Sequence, residues 1–274
     1  MKRLRIPDVK KKKQEGQKVT MLTAYDFLLA KILDEAGIDI LLVGDSVGMV
    51  LLGYETTLPV TLEMMIHHSQ AVSRGVQRAL VVADMPFLSY QVSVSEAVRN
   101  AGRLIQEGGV AAVKIEGGRV MADVTRRLVE VGIPVMGHLG LLPQSVHQLG
   151  GFRVQARDQE AAEKLEEDAV ILEEAGAFSI VLESIPADLA QQVTSRLSIP
   201  TIGIGAGPHC DGQVLVSHDA FGLSQGRTPS FVKQYAELGT ELRKAAKAYI
   251  SDVGAGQFPS QEHCFREDAE VNSE

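Results

Sequence analysis

The chain is predicted to be an α/β protein that closes into a single (β/α)8 barrel. Three observations predict it. Strand-like aliphatic runs alternate with helical patterns eight times, the count of that barrel in about 250 residues. The 274 residues are 45% hydrophobic but only 5% aromatic, with no Trp. Such an aliphatic core of Val, Ile, Leu and Ala suits buried parallel strands. Finally, polar and charged residues close the runs, and barrels of this kind carry function at strand C-termini. An open doubly wound sheet shares the alternation, because periodicity does not show closure.

Each element has a local reason. Residues 19–24 (Val-Thr-Met-Leu-Thr-Ala) read as the first strand. Asp26 to Ala36 reads as a helix stopped by Gly37, a residue suited to the left-handed turn after a helix. The run from Ile40 is the second strand, and Thr61 to Arg74 a helix before Gly75. The run from Leu80 is the third strand. Ser93 with Glu96 forms a capping box for a helix bearing Ala97, Ala101, Leu104 and Ile105 on one face. The fourth strand ends at Glu116 and precedes a helix from Arg119 to Val131. Pro134 to His138 is the fifth strand and Asp158 to Ala175 the next helix. Phe178 to Leu182 is the sixth strand, ending on Glu183; Pro186 suits the start of the helix that follows. Pro200 to Gly205 is the seventh strand, Val214 begins a shorter eighth, and Thr228 to Asp252 reads as a long terminal helix. Residues 1–253 are thus assigned to the barrel, with a basic N-terminal segment, and 254–274 to a tail expected to be partly mobile.

Three runs end on an acid: Ile40 to Asp45-Ser46, Leu80 to Asp84-Met85-Pro86, and Ala112 to Glu116-Gly117-Gly118. Each acid alone reads equally as an N-cap for the next helix. Together, in register at one rim, they repel one another unless a cation or protons neutralise them. An all-oxygen set selects a hard divalent ion, Mg²⁺ foremost. Lys114 lies two residues before Glu116, on the same strand face, and is costly to bury without carboxylates beside it. His138 ends the fifth strand beside a glycine, and Glu183 ends the sixth, apart from the other acids in sequence and suited to accept a proton.

Other patterns are weaker. Gly44-Asp45-Ser46-Val47-Gly48 fits the nucleophile elbow of serine hydrolases, but follows only the second strand. Residues 203–207 (Gly-Ile-Gly-Ala-Gly) are similar to a phosphate loop but have Pro208 where the third glycine belongs, and close packing explains them better. No Cys/His spacing suits zinc. Cys210 and Cys264 make no CxxC or disulfide framework, which fits a reducing compartment. A net charge of -8 argues against a nucleic-acid partner. The basic residues Lys2, Arg3, Arg5 and Lys10 to Lys13 are expected to form a solvated terminus or first helix. With no signal-like segment and no long apolar stretch, the expected location is cytoplasmic, away from membranes.

Residues 23–26, 42–48, 57–61, 113–118, 137–145 and 203–207 together resemble the 3-methyl-2-oxobutanoate hydroxymethyltransferase (ketopantoate hydroxymethyltransferase) family, and the resemblance runs from about residue 4 to 265. It implies a barrel of the phosphoenolpyruvate/pyruvate type, one Mg²⁺ per subunit, and 5,10-methylenetetrahydrofolate as co-substrate. It implies hydroxymethyl transfer to 3-methyl-2-oxobutanoate through a Mg-stabilised enolate, giving 2-dehydropantoate for pantothenate biosynthesis, in a homo-oligomer. Asp45, Asp84 and Glu116 match the family's metal positions. Asp45, Ser46, Asp84 and Lys114 match its substrate contacts, and Glu183 its proton acceptor. His138 is a candidate substrate contact or a residue that holds the site's shape. Cys264 stands where the family usually has Ser, and residues past Arg266 extend beyond it. A serine esterase using Ser46 and a non-catalytic keto-acid-binding barrel are the alternatives.

Overall fold

The computed structural model describes residues 3–224, 226 and 228–265. Helix α1 (Ile6–Gln14) precedes β1 (Val19–Thr23), α2 (Phe27–Glu35), β2 (Ile40–Val43), α3 (Val47–Val50), α4 (Leu62–Gly75) and β3 (Leu80–Asp84). Next come α5 (Val94–Gln106), β4 (Ala112–Glu116), α6 (Ala122–Glu130), β5 (Val135–Gly140), α7 (Val146–Leu149) and α8 (Gln159–Glu174). Then follow β6 (Ser179–Glu183), α9 (Ala187–Arg196), β7 (Thr201–Ile204), β8 (Gly212–Leu215), α10 (Ser217–Ala220) and α11 (Leu238–Gly254). Each strand pairs in parallel with the next, and β8 pairs with β1. The barrel is therefore closed, and the open sheet is excluded.

The strand pleat explains where the site lies. Alternate residues face the barrel axis. Their lower layers are apolar: Met21, Ile40, Leu42, Leu80, Val82, Ala112, Met136, Val181, Ile202 and Val214 form one buried cluster. Continuing the same alternation upward gives Asp84 on β3, Lys114 and Glu116 on β4, His138 on β5 and Glu183 on β6. The register sets Asp84 beside Lys114 and Glu116 beside His138. A hydrophobic floor thus supports a polar upper layer. The intervening residues of β5 and β6, such as Leu139, Ile180 and Leu182, pack outward with Leu165, Leu172, Leu189 and Val193 of α8 and α9. Each such aliphatic side chain contributes about 1.5–3 kcal/mol by leaving water.

The basic N-terminal segment does form a first helix, but its lysines are not all solvated. Val9 of α1 is fully buried and joins the interior cluster. Lys12 pairs with Asp39 at 2.7 Å, and Arg78 holds the other oxygen of the same carboxylate at 3.0 Å. Lys13 pairs with Asp211 at 2.9 Å and donates to the carbonyls of Thr194 and Ile199.

By compactness the chain divides after Ser217, and the described residues from His218 onward form a second unit. There the terminal helix begins at Leu238, ten residues later than its pattern suggests. Pro229 has no N–H, and the backbone of Tyr235 and Leu238 donates to the carbonyls of Ala220 and Phe221 instead. A single 3-10 turn, Gln261–His263, follows, and residues 266–274 of the expected tail lie outside the described residues. Among the described residues, no helix is long and apolar enough to cross a membrane.

Candidate active site

The upper layer brings the expected residues together. Asp45, Asp84, Lys114, Glu116 and His138 are all buried. Asp84 Oδ2 accepts from the backbone N–H of Asp45 at 3.0 Å, which ties β3 to the exit of β2. Lys114 Nζ is 3.0 Å from Asp84 Oδ1 and 3.9 Å from Glu116 Oε1. On its other side Lys114 Nζ meets His138 Nδ1 at 2.9 Å. His138 Nε2 in turn faces Glu183 Oε2 at 3.2 Å. Ser46 stands at the margin, its hydroxyl 2.8 Å from that of Tyr25.

Local backbone explains how Glu183 is aimed. The next residue, Ser184, adopts φ 49, a left-handed conformation that is strained for a residue with a side chain. It is held there because its N–H donates to Ile204 and its carbonyl accepts from Gln155. The Glu183 carbonyl accepts from Leu141 across the β5–β6 boundary.

The electrostatics are those of a site with too many carboxylates. Burial, then Asp84, pushes Asp45 up to about 7. Burial pushes Glu116 well above the usual carboxylate range, although Lys114 opposes it. Burial raises Glu183 to about 7, again against Lys114. Burial alone would discharge Lys114, but Asp84, Glu116 and Asp45 outweigh it and keep the ammonium charged. Burial, reinforced by Lys114, holds His138 well below its usual range, so the imidazole is neutral. Lys114 then donates to Nδ1, and the ring proton sits on Nε2, toward Glu183.

The residues suit a magnesium ion. Glu116 Oε1 is buried and makes no hydrogen bond, and Asp84 Oδ1 has only the Lys114 ammonium beside it, at 3.0 Å. Among the described residues no three carboxylates or imidazoles converge as a complete ligand cage. Mg²⁺ usually takes one or two carboxylates and fills its octahedron with water and substrate oxygens.

Several expectations are resolved by contacts. The Ser46 hydroxyl pairs with Tyr25, whose own acidity burial suppresses, so its partner is not the activating histidine that a hydrolase needs. The glycine-rich segment packs: a Cβ on Gly207 would lie 2.5 Å from that of Ala187, and one on Gly203 3.0 Å from Cys210 Sγ. His68, in α4, bonds the Tyr25 carbonyl at 2.7 Å. Two residues given no role by the sequence, Tyr90 and Gln144, are buried in the centre of the cluster. Their only signal was Gln144's place in the 137–145 segment.

Residues 3–261 match the sequence profile described as ketopantoate hydroxymethyltransferase. The chain is 60% identical over 253 residues to 3-methyl-2-oxobutanoate hydroxymethyltransferase of Syntrophus aciditrophicus (strain SB), covering 92% of this chain and 93% of that one. It is 55% identical over 271 residues to the enzyme of the same name from Syntrophomonas wolfei subsp. wolfei, covering 99% and 98%. Its fold is similar to that of 2,3-dimethylmalate lyase, described as a PEP mutase/isocitrate lyase superfamily member. That match has a TM-score of 0.59 at 18% identity, over 94% and 91% of the two chains. With a profile match across its whole barrel and relatives this similar over nearly full length, the chain belongs to the ketopantoate hydroxymethyltransferase family and is a transferase.

Proposed function

We propose that the protein transfers a hydroxymethyl group from 5,10-methylenetetrahydrofolate to 3-methyl-2-oxobutanoate, giving 2-dehydropantoate, with Mg²⁺ as cofactor. The observation that carries this reading is the buried row Asp84–Lys114–His138–Glu183, with Asp45 and Glu116 beside it. Asp45 and Asp84 would hold the ion, with Glu116 reaching it through bound water. When bound, Mg²⁺ supplies Lewis-acid stabilisation of charge on the keto oxygen.

The chain's own groups do the rest. Glu183 Oε2 takes the proton from C3 of the keto acid; burial gives it a basicity suited to that task near neutral pH. His138 Nε2 lies 3.2 Å from that carboxylate without a formed hydrogen bond and flanks it. Lys114, kept charged, offsets negative charge on the substrate oxygens. Ser46 supplies a hydroxyl to the substrate carboxylate. The new C–C bond forms between C3 and the folate methylene carbon, both C–N bonds of that methylene break, water supplies the hydroxyl, and the two folate nitrogens take up the C3 proton and the second proton of that water. The family role supports a cytoplasmic enzyme acting on small molecules. The exposed apolar residues Leu28 and Ile32 on α2 fit a homo-oligomer.

The test is hydrogen exchange at C3 of 3-methyl-2-oxobutanoate without folate. Mg²⁺-dependent exchange that Glu183→Gln slows by about 10²–10⁴-fold is expected. Exchange by the variant at the parent rate would remove Glu183 as the base. Tight keto-acid binding without any exchange by the parent would favour a mere binding barrel.

A further inference from the structure

We infer that Gln144 and Tyr90 are positioning residues that set the spacing of Asp45 and Glu116, and thereby the affinity of the site for Mg²⁺. This rests on the metal reading proposed above.

Gln144 follows β5 in a 3-10 turn, Pro143–Ser145, yet its side chain is buried among the exits of three other strands. Its Nε2 donates to Asp45 Oδ2 at 2.9 Å and to the Met85 carbonyl at 2.9 Å. Its Oε1 accepts from the Tyr90 hydroxyl at 2.7 Å and from Gln91 Nε2 at 3.1 Å. Both amide protons and both lone pairs are therefore used, the full capacity of a glutamine side chain. Its backbone N–H also donates to Glu116 Oε2 at 3.0 Å. One residue thus holds a carboxylate from the β2 exit and another from β4.

Tyr90 fixes which way the amide points. Its hydroxyl accepts the backbone N–H of Glu116 at 3.0 Å, so its own proton is free to go to Gln144 Oε1. The Met85 carbonyl only accepts, and so requires the NH₂ end on the opposite side. The result is a one-way chain of donors: Glu116 N–H to Tyr90 O–H, to Gln144, to Asp45. It ends on the carboxylate as a donor, which favours its charged form and occupies Oδ2. Meanwhile the backbone N–H of Gln144 occupies Glu116 Oε2 and leaves Oε1 without a hydrogen bond. Gln144 and Tyr90 lie outside the strands; Gln144 reaches both carboxylates, and Tyr90 reaches the Gln144 amide and the backbone of Glu116. Outer partners of this kind orient ligands, and their loss costs about 10–100-fold in metal affinity.

The experiment is calorimetric titration of the full-length protein with Mg²⁺ alone, followed by C3 exchange at increasing Mg²⁺. Gln144→Ala is expected to raise the Mg²⁺ dissociation constant about 10–100-fold. Tyr90→Phe, which keeps the packing and removes only the hydroxyl, is expected to raise it by less. Exchange by both is expected to recover toward the parent rate at saturating Mg²⁺, which damage to the fold would not allow. If Gln144→Ala does not fold, Tyr90→Phe alone decides. Parent-like Mg²⁺ affinity in the folded variants would overturn the inference and leave the metal reading standing. Failure of the parent itself to bind Mg²⁺ would overturn both.

Discussion

Lys114 Nζ lies 2.9 Å from His138 Nδ1, and this contact decides which ring nitrogen carries the proton. A charged ammonium only donates, so Nδ1 accepts and Nε2–H is left facing Glu183. The strand register makes the contact possible: Lys114 and His138 are inward residues of adjacent strands β4 and β5.

Lys114 is expected to hold Glu183 down. Burial pushes Glu183 up to about 7, and the Lys114 ammonium pulls against that rise. Replacing Lys114→Met removes the lowering influence, so Glu183 should titrate above its parent value. Since the base must be ionised, the acid limb of C3 exchange should move to higher pH. Carboxyl carbon NMR, with Glu183→Gln to assign the signal, checks the titration directly. A Glu183 midpoint that falls in Lys114→Met would contradict the row.

Metal binding should depend on the two aspartates more than on Glu116. Asp84→Asn is expected to abolish measurable Mg²⁺ binding while the barrel still folds, as circular dichroism would show. Glu116→Gln, acting through water, should weaken binding by about tenfold, the lower end for outer groups. Full Mg²⁺ affinity in Asp84→Asn would exclude the assignment.

Much of this was legible in the sequence because its signals are local. The helix starts at Asp26, Thr61, Ser93 and Asp158 were readable because each side chain accepts the backbone N–H three positions on. The acids at strand exits were readable because strand period and barrel polarity follow from the aliphatic runs. Two things were not. The start of α11 is set by carbonyls of Ala220 and Phe221, which no periodicity contains. Tyr90 and Gln144 are uncharged and lie outside the strands, and their importance exists only once the exits of β2, β3 and β4 surround them.

The floor of the barrel should govern its acid stability. Although burial opposes it, Lys12 and the backbone of Thr20 hold Asp39 below its usual range. A carboxyl depressed on folding stabilises the native state above its unfolded value near 3.8, and that stability is lost as pH falls through the lower folded value. Asp39→Asn should therefore cost about 1.5–3 kcal/mol at neutral pH, the range for hydrogen bonds to charged groups. The gap from the parent should close as pH falls below about 4. Urea denaturation at several pH values checks this; a gap that persists unchanged in acid would show that the loss is packing and not charge.

Gly140 should prove as important to the base as Glu183 itself, although it has no side chain. It pairs with Glu183 in the β5–β6 register and adopts φ 91, where residues with a Cβ are strained. A Cβ there would collide with the carbonyl oxygen of Glu183 and lie 2.8 Å from Ile185 Cγ2. Both obstacles belong to the segment that aims the base, and the backbone oxygen cannot rotate away as a side chain end would. Gly140→Ala must therefore displace the exit of β6. A shift of about 1 Å at a reacting group costs on the order of 10²-fold in rate. Asp45, Asp84 and Glu116 come from β2, β3 and β4, so Mg²⁺ affinity should stay at the parent value. The expected pattern is slow C3 exchange with intact metal binding and a modest loss of thermal stability. Equal loss of exchange and Mg²⁺ binding would mean that the whole rim moves; unchanged exchange would mean that the turn absorbs the methyl group and Glu183 is held by other contacts.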